Sequence, residues 1–187
     1  MFVAVKNDDR FFIGYSIRDN SIDMDESDLL LEDNIPVWKV RGKKDVLIMC
    51  GERDFAAALL KYNKKLFNFE ISDKEMFGGF VSRLRDFLQD YDLIDNNGNW
   101  NNELLIVKDD VAYKIENDFT LTKIVDYCSS GRWNRLTTGS LAGSEGEPAE
   151  KRIAEAFGLV GKMRNYELFP ISLYDSKSGK RKIIRKN

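Results

Sequence analysis

Residues 2–5, Phe-Val-Ala-Val, and residues 11–15, Phe-Phe-Ile-Gly-Tyr, are two β-rich runs separated by the polar residues Asn7, Asp8 and Asp9. That pattern predicts a hairpin with a short loop. A sheet therefore starts at the first residues given, with the terminus held in a core strand instead of fraying. Residues 37–41 and 46–50 predict two further short strands joined by Gly42, Lys43 and Lys44, the second stopping at Gly51. From there the period lengthens. Phe55, Leu59, Tyr62 and Leu66 recur at helical spacing over residues 53–66, and Ser72 with Glu75 makes a capping box for a second helix reaching about residue 91. Its stripe is Met76, Phe80, Leu84, Phe87 and Leu88.

The pattern then returns to strands over residues 104–107, 111–115 and 121–127, all β-branched or aromatic and divided by turn residues. A glycine-rich stretch at 137–146 reads as a loop. Pro148 opens a helix that runs to Met163, with Ile153, Phe157 and Val160 on its apolar face. Residues 166–174 and 182–184 read as closing strands. Between the first hairpin and the third strand, residues 18–34 gather Asp19, Asp23, Asp25, Glu26, Asp28, Glu32 and Asp33 in what reads as an extended acidic loop. Strands grouped with helices in this order predict an α+β fold.

A chain of 187 residues with 43% hydrophobic and 12% aromatic content supports one substantial core, hence one domain over 1–187. The net charge of −2 gives no global pull toward nucleic acid. It hides an asymmetry, because Lys177, Lys180, Arg181, Lys182, Arg185 and Lys186 form a basic stretch at 177–187 without an acid; a solvated end is the simpler reading. Cys50 and Cys128 lie in strand-like runs and are expected as buried thiols of a reducing cytoplasm, with no disulfide framework. Neither an apolar run of membrane-spanning length nor a signal-peptide pattern is present, so a cytoplasmic protein off the membrane is expected.

There is no histidine. Ser-His-Asp and Cys-His mechanisms, His-ligated zinc and imidazole acid–base chemistry are thereby excluded, leaving carboxylates, lysines, hydroxyls, thiols and an α-amine. Other signals are weak. The 137–146 stretch lacks the Gly-Lys-Ser/Thr ending of a phosphate loop, and Ser178-Gly179-Lys180 lacks its leading glycine and following hydroxyl. Asp95, Asn97 and Asn99 copy the first ligands of a calcium loop, but Trp100 stands where that loop needs glycine. No cofactor and no metal is expected.

The order of elements resembles the proteasome β-subunit family of N-terminal-nucleophile hydrolases, and within it the bacterial peptidase of the two-part ATP-dependent protease (HslV-like). The residues that carry the likeness are the opening Phe2-Val-Ala-Val-Lys6, Lys39-Val40-Arg41 in the third strand, Cys50-Gly51 before a helix with Asp54, a Gly-Ser pair in a later strand turn before the last helices (Gly139-Ser140 or Gly143-Ser144), and the helix from Pro148. The resemblance implies a four-layer α-β-β-α sandwich of two antiparallel sheets. It also implies a threonine-type peptidase chemistry in which residue one is Thr, Ser or Cys and its own α-amine is the general base. The strand-three lysine lowers the proton affinity of the nucleophile, an aspartate after strand two orients it, and the glycine N–H after strand four stabilises the oxyanion.

Carried over residue by residue, Lys39 and Gly51 stand at the lysine and glycine positions, Ser16 stands near the aspartate position, and Met1 lies at the second family position. The nucleophile is missing: no Thr, Ser or Cys precedes Ser16, and Met1 is expected to be retained because Phe2 is large. The expectation is a catalytically degenerate member acting in assembly or protein interaction. It would form a homo-oligomer and accept an ATPase or another protein as partner. The alternatives are an active peptidase subunit of an ATP-dependent protease with a non-standard or processed nucleophile, and a binding module.

Overall fold

The computed structural model describes residues 1–16, 37–39, 47–50, 66–100, 102–165 and 167–185, with the backbone path alone for 37–39 and 47–50. The predicted helix at 53–66 except its last residue, the acidic 18–34 loop and Gly51 lie outside the described residues. The chain forms two compact units interleaved along the sequence: Met1–Ile35, Asp109–Val111 and Ile124–Asn187 make the first, Pro36–Lys108 and Ala112–Lys123 the second. Helices accompany two five-stranded sheets, so the fold is α+β.

In the first unit β1 (Phe2–Asn7) and β2 (Arg10–Ser16) form the expected hairpin. Its register runs from Phe2 opposite Tyr15 to Asn7 opposite Arg10, and Asp8 takes the left-handed backbone the tight turn demands (φ 54°). Phe2 to Val5 are all buried, which is why four apolar residues in a row occur where a half-exposed strand would alternate. The hairpin sits inside the sheet, whose order is β10-β9-β2-β1-β8. Here β8 is Tyr127–Ser130, β9 Ile171–Asp175 and β10 Arg181–Ile184. Two helices, α3 (Asn134–Gly143) and α4 (Ala149–Arg164), pack on it through Leu141, Ile153, Phe157 and Val160 against Val3, Val5, Ile171 and Leu173. The approach is close at Gly14, where a Cβ would lie 2.3 Å from the Ile153 side chain.

The second unit holds β3 (Val37–Lys39), β4 (Leu47–Cys50), β5 (Leu104–Lys108), β6 (Val111–Ile115) and β7 (Leu121–Ile124), in that order across its sheet. Its helical run begins where the sequence places it: Ser72 Oγ accepts from the Glu75 N–H at 3.3 Å and caps α1 (Asp73–Glu75). A π-helical turn, Met76–Phe80, leads into α2 (Val81–Gln89). Met76 and Phe80 are wholly buried, whereas Phe77 is 60% exposed and meets Tyr113 edge-on.

Four expectations change. The single strand expected at 121–127 is two strands, β7 and β8, in different sheets, because the chain turns at Val125 and Asp126. Val125 is exposed there, and Asp126 engages Lys6 and Arg152. The glycine-rich stretch expected as a loop is mostly helical, as α3. Burial of Thr137 and Leu141 outweighs the low helix propensity of Gly139 and Gly143, and the Thr137 hydroxyl donates to the Trp133 and Asn134 carbonyls. The closing strand begins only at Ile171, after a cis Phe169–Pro170 bond. The basic end is not simply solvated: Lys177 pairs with Asp9, Lys182 lies 2.5 Å from Glu150, and Arg181 covers the Tyr174 ring.

Candidate functional site

The β1 register builds the site. Phe2 pairs with Tyr15 on one side and with Ser130 on the other, so Met1, one residue earlier, enters the sheet between Ser16 at the end of β2 and Gly131 after β8. Gly131 has a φ of +90°, a backbone that favours glycine, and a Cβ there would stand 3.2 Å from Met1 Cα and 3.6 Å from its nitrogen. The backbone angle and the close approach both favour glycine. The sequence-expected Met1 and Ser16 are thus brought together, and Gly131 joins them. No local pattern marks Gly131, since its role depends on β1 pairing with a strand far along the chain. The one available signal is a glycine directly after a strand ending in Ser129 and Ser130.

Ser16 is 4% exposed, and its Oγ donates to the Leu168 carbonyl at 2.8 Å. Its hydroxyl hydrogen therefore secures the segment that leads into β9. Ser129 Oγ lies 3.0 Å from the Asn134 carbonyl and 2.9 Å from Thr138 Oγ1, tying β8 to the first turns of α3. Lys39 lies at the end of β3 in the second unit, with its backbone opposite Leu47. Gly51 lies outside the described residues. Gly139-Ser140 falls inside α3 and Gly143-Ser144 at its C-terminal end, not in a strand turn; Ser144 Oγ donates back to the Ser140 carbonyl at 3.0 Å.

A separate charged centre occupies the second unit. Lys114 is buried, with Nζ 2.8 Å from Glu103 Oε1 and 2.9 Å from Glu116 Oε1. Burial would lower the Lys114 pKa, but hydrogen bonds to the two carboxylates outweigh it and hold the ammonium above its ordinary value. Glu116 is pushed up, first by burial and then by its hydrogen bond with Glu103. A lysine held protonated between two carboxylates is a poor base and fits a structural role. Among the described residues no group of acids and cysteines could hold a metal ion. Asp95 closes a turn instead: its Oδ1 accepts from the Asn97 and Asn99 N–H groups at 2.8 and 2.9 Å, with Gly98 at φ +82°. Among the described residues no helix is long and apolar enough to cross a membrane.

No family model and no curated protein matches the chain. Solved structures do. Thiobacillus denitrificans BPH matches with a TM-score of 0.67 at 15% identity, covering 93% of this chain and 96% of that one. The same protein in complex with epoxomicin matches with a TM-score of 0.65 at 10% identity over the same shares. At these identities the likeness is one of fold. Epoxomicin is a proteasome inhibitor, and the shared fold is a proteasome-like one.

Proposed function

We propose that this chain is a catalytically degenerate proteasome-like protein, a single four-layer α-β-β-α domain that acts in assembly or protein interaction. The observation that carries the reading is the composition of the β1 end. The hairpin offers no Thr, Ser or Cys from Met1 to Tyr15, and the first aliphatic hydroxyl, that of Ser16, is buried and donates to a backbone carbonyl. N-terminal-nucleophile chemistry needs a hydroxyl or thiol beside the α-amine that deprotonates it. Lys39 and Gly51 keep family residue types without a nucleophile to activate, and Ser16 replaces an orienting carboxylate by a neutral hydroxyl.

An assembly role draws on the shared fold and on apolar side chains left at the surface, Phe77, Val125 and Met163, which are 60%, 80% and 59% exposed. The homo-oligomer and a protein partner belong to this reading. The competing one, an active peptidase subunit with a non-standard or processed nucleophile, draws on the epoxomicin complex of the structural neighbour.

The test is intact-protein and peptide mass spectrometry after incubation with epoxomicin, beside a peptide-hydrolysis assay. The expected result is an unmodified protein, no turnover and an N-terminal peptide that starts Met1-Phe2. A stoichiometric adduct at the N-terminus would overturn the degenerate reading. Light scattering tests assembly separately, and a strict monomer at micromolar concentration would overturn that part.

A further inference from the structure

We infer that the cluster of Arg132, Trp133 and Arg164 is a docking surface for a carboxylate-rich segment of a partner protein. The inference stands on the surface itself and is independent of whether the N-terminal site has lost its chemistry.

Trp133 is half-buried at the mouth of α3 and packs on the core of the first unit. The Arg132 guanidinium carbon stands 4.9 Å from the centre of its ring and that of Arg164 stands 4.5 Å from it. The two cations are therefore no more than 9.4 Å apart, the sum of those distances. Both side chains are exposed, and neither has a carboxylate partner among the described residues. Glu167, the acid nearest in sequence to Arg164, turns one oxygen to the Phe169 N–H at 3.3 Å.

Some other exposed cations of the first unit have carboxylate partners within the fold, as Lys151 has in Glu147 and Lys177 in Asp9. Arg132 and Arg135 gain nothing from the dipole of α3. They flank its N-terminal end, where the helix carries positive partial charge, and its first turn has no acid. Lys162 adds a further cation on α4, two residues before Arg164.

A guanidinium laid on an indole face is fixed in plane and keeps its outer N–H edge free for a bidentate acceptor. Two such edges held on one ring suit successive carboxylates of an acidic peptide. A nucleic acid fits less well: its bases would stack on an aromatic face, and this face is already covered by arginine. Its affinity also comes from many phosphate contacts, whereas the chain as a whole carries −2. Arg132 directly follows Gly131, which touches Met1, so a docked segment would run past the head of β1.

The experiment is fluorescence anisotropy of the full chain with three labelled probes: a ten-residue Glu peptide, its Gln counterpart and a ten-nucleotide single-stranded DNA. The Glu peptide should bind at least about tenfold tighter than either control, the scale of one bidentate charge-assisted contact. R132Q/R164Q should weaken it about tenfold or more with an unshifted unfolding midpoint, while R135Q/K162Q, of equal net charge, should change it less than about threefold. Equal effects of the two double variants, an unaffected Glu peptide in R132Q/R164Q, or DNA binding tighter than the Glu peptide would each overturn the inference.

Discussion

Arg152 holds Asp126 with both terminal nitrogens, Nη1 to Oδ1 at 3.1 Å and Nη2 to Oδ2 at 3.3 Å. The arginine reaches from inside α4 to the turn between β7 and β8. There the Asp126 carbonyl also accepts the Lys6 N–H at 2.6 Å, so one residue joins the turn before β8 to the helix and the first hairpin. The same Nη2 donates to the Leu141 carbonyl at 3.0 Å, and the guanidinium covers the Tyr127 ring.

Arg152→Ala should destabilise the protein by about 3 kcal/mol, the lower end of what breaking a buried ion pair costs, because the Asp126 side chain remains 40% exposed. Asp126→Asn should cost less, about 1–2 kcal/mol, since the amide oxygen still accepts one bond. Denaturant midpoints decide the matter. A loss under about 1 kcal/mol for Arg152→Ala would show that the pair is not a fastening point.

Gly14→Ala should destabilise through crowding, not through backbone strain. The new methyl would meet Ile153 Cγ2 at 2.3 Å and Phe157 Cε2 at 3.4 Å, on two wholly buried side chains. Overpacking of this kind costs about 1–3 kcal/mol. Combining it with Ile153→Ala removes the obstruction, so the double variant should be more stable than the two single losses predict by at least about 1 kcal/mol. Strict additivity in the denaturation series would show that α4 does not press on β2 at this point.

These two contacts also mark what the sequence could and could not tell. The β1–β2 hairpin and the Ser72 cap were legible because their causes are local: a turn with Asp8 and Asp9 between apolar runs, and a hydroxyl three residues before Glu75. The break of residues 121–127 was not legible. Val125 continues the apolar run, and what ends the strand is Asp126 reaching Arg152 on a distant helix. The helix over the glycine-rich stretch was hidden for the same reason, because propensity there is outvoted by burial of Thr137 and Leu141. In the site, Met1 and Ser16 were named from the family resemblance, whereas Gly131 needed the β1–β8 pairing.

The β9–β10 turn should show acid sensitivity. Burial would raise the Asp175 pKa, but hydrogen bonds from the Ser178 hydroxyl and N–H, the Lys177 N–H and Arg10 outweigh it and hold the carboxyl below its ordinary 3.8. The unfolded chain then binds more protons than the native one. The contribution is therefore full above about pH 4 and fades as pH falls through the depressed native value. Asp175→Asn should lower stability at pH 7 and flatten its fall below pH 4. Denaturation from pH 2.5 to pH 6 is the measurement, and parallel curves for the two proteins would refute the assignment.

The last prediction separates a structural Ser16 and an idle Lys39 from a working site. Removing the buried Ser16 hydroxyl leaves the Leu168 carbonyl without its 2.8 Å donor, so Ser16→Ala should cost about 1–2 kcal/mol. A serine kept for catalysis would instead reduce turnover while leaving stability nearly unchanged. Lys39 has the opposite signature under the degenerate reading. With no nucleophile to activate, Lys39→Ala and Lys39→Met should remove no activity and shift the unfolding free energy by less than about 1 kcal/mol, as expected if the lysine makes only surface ion pairs. Thermal unfolding of the three variants, run beside the peptide-hydrolysis assay, gives both readouts on the same preparations. Activity in the parent that disappears in Lys39→Ala with an unshifted midpoint would mean that the lysine serves a nucleophile after all, and the degenerate reading would fall with it.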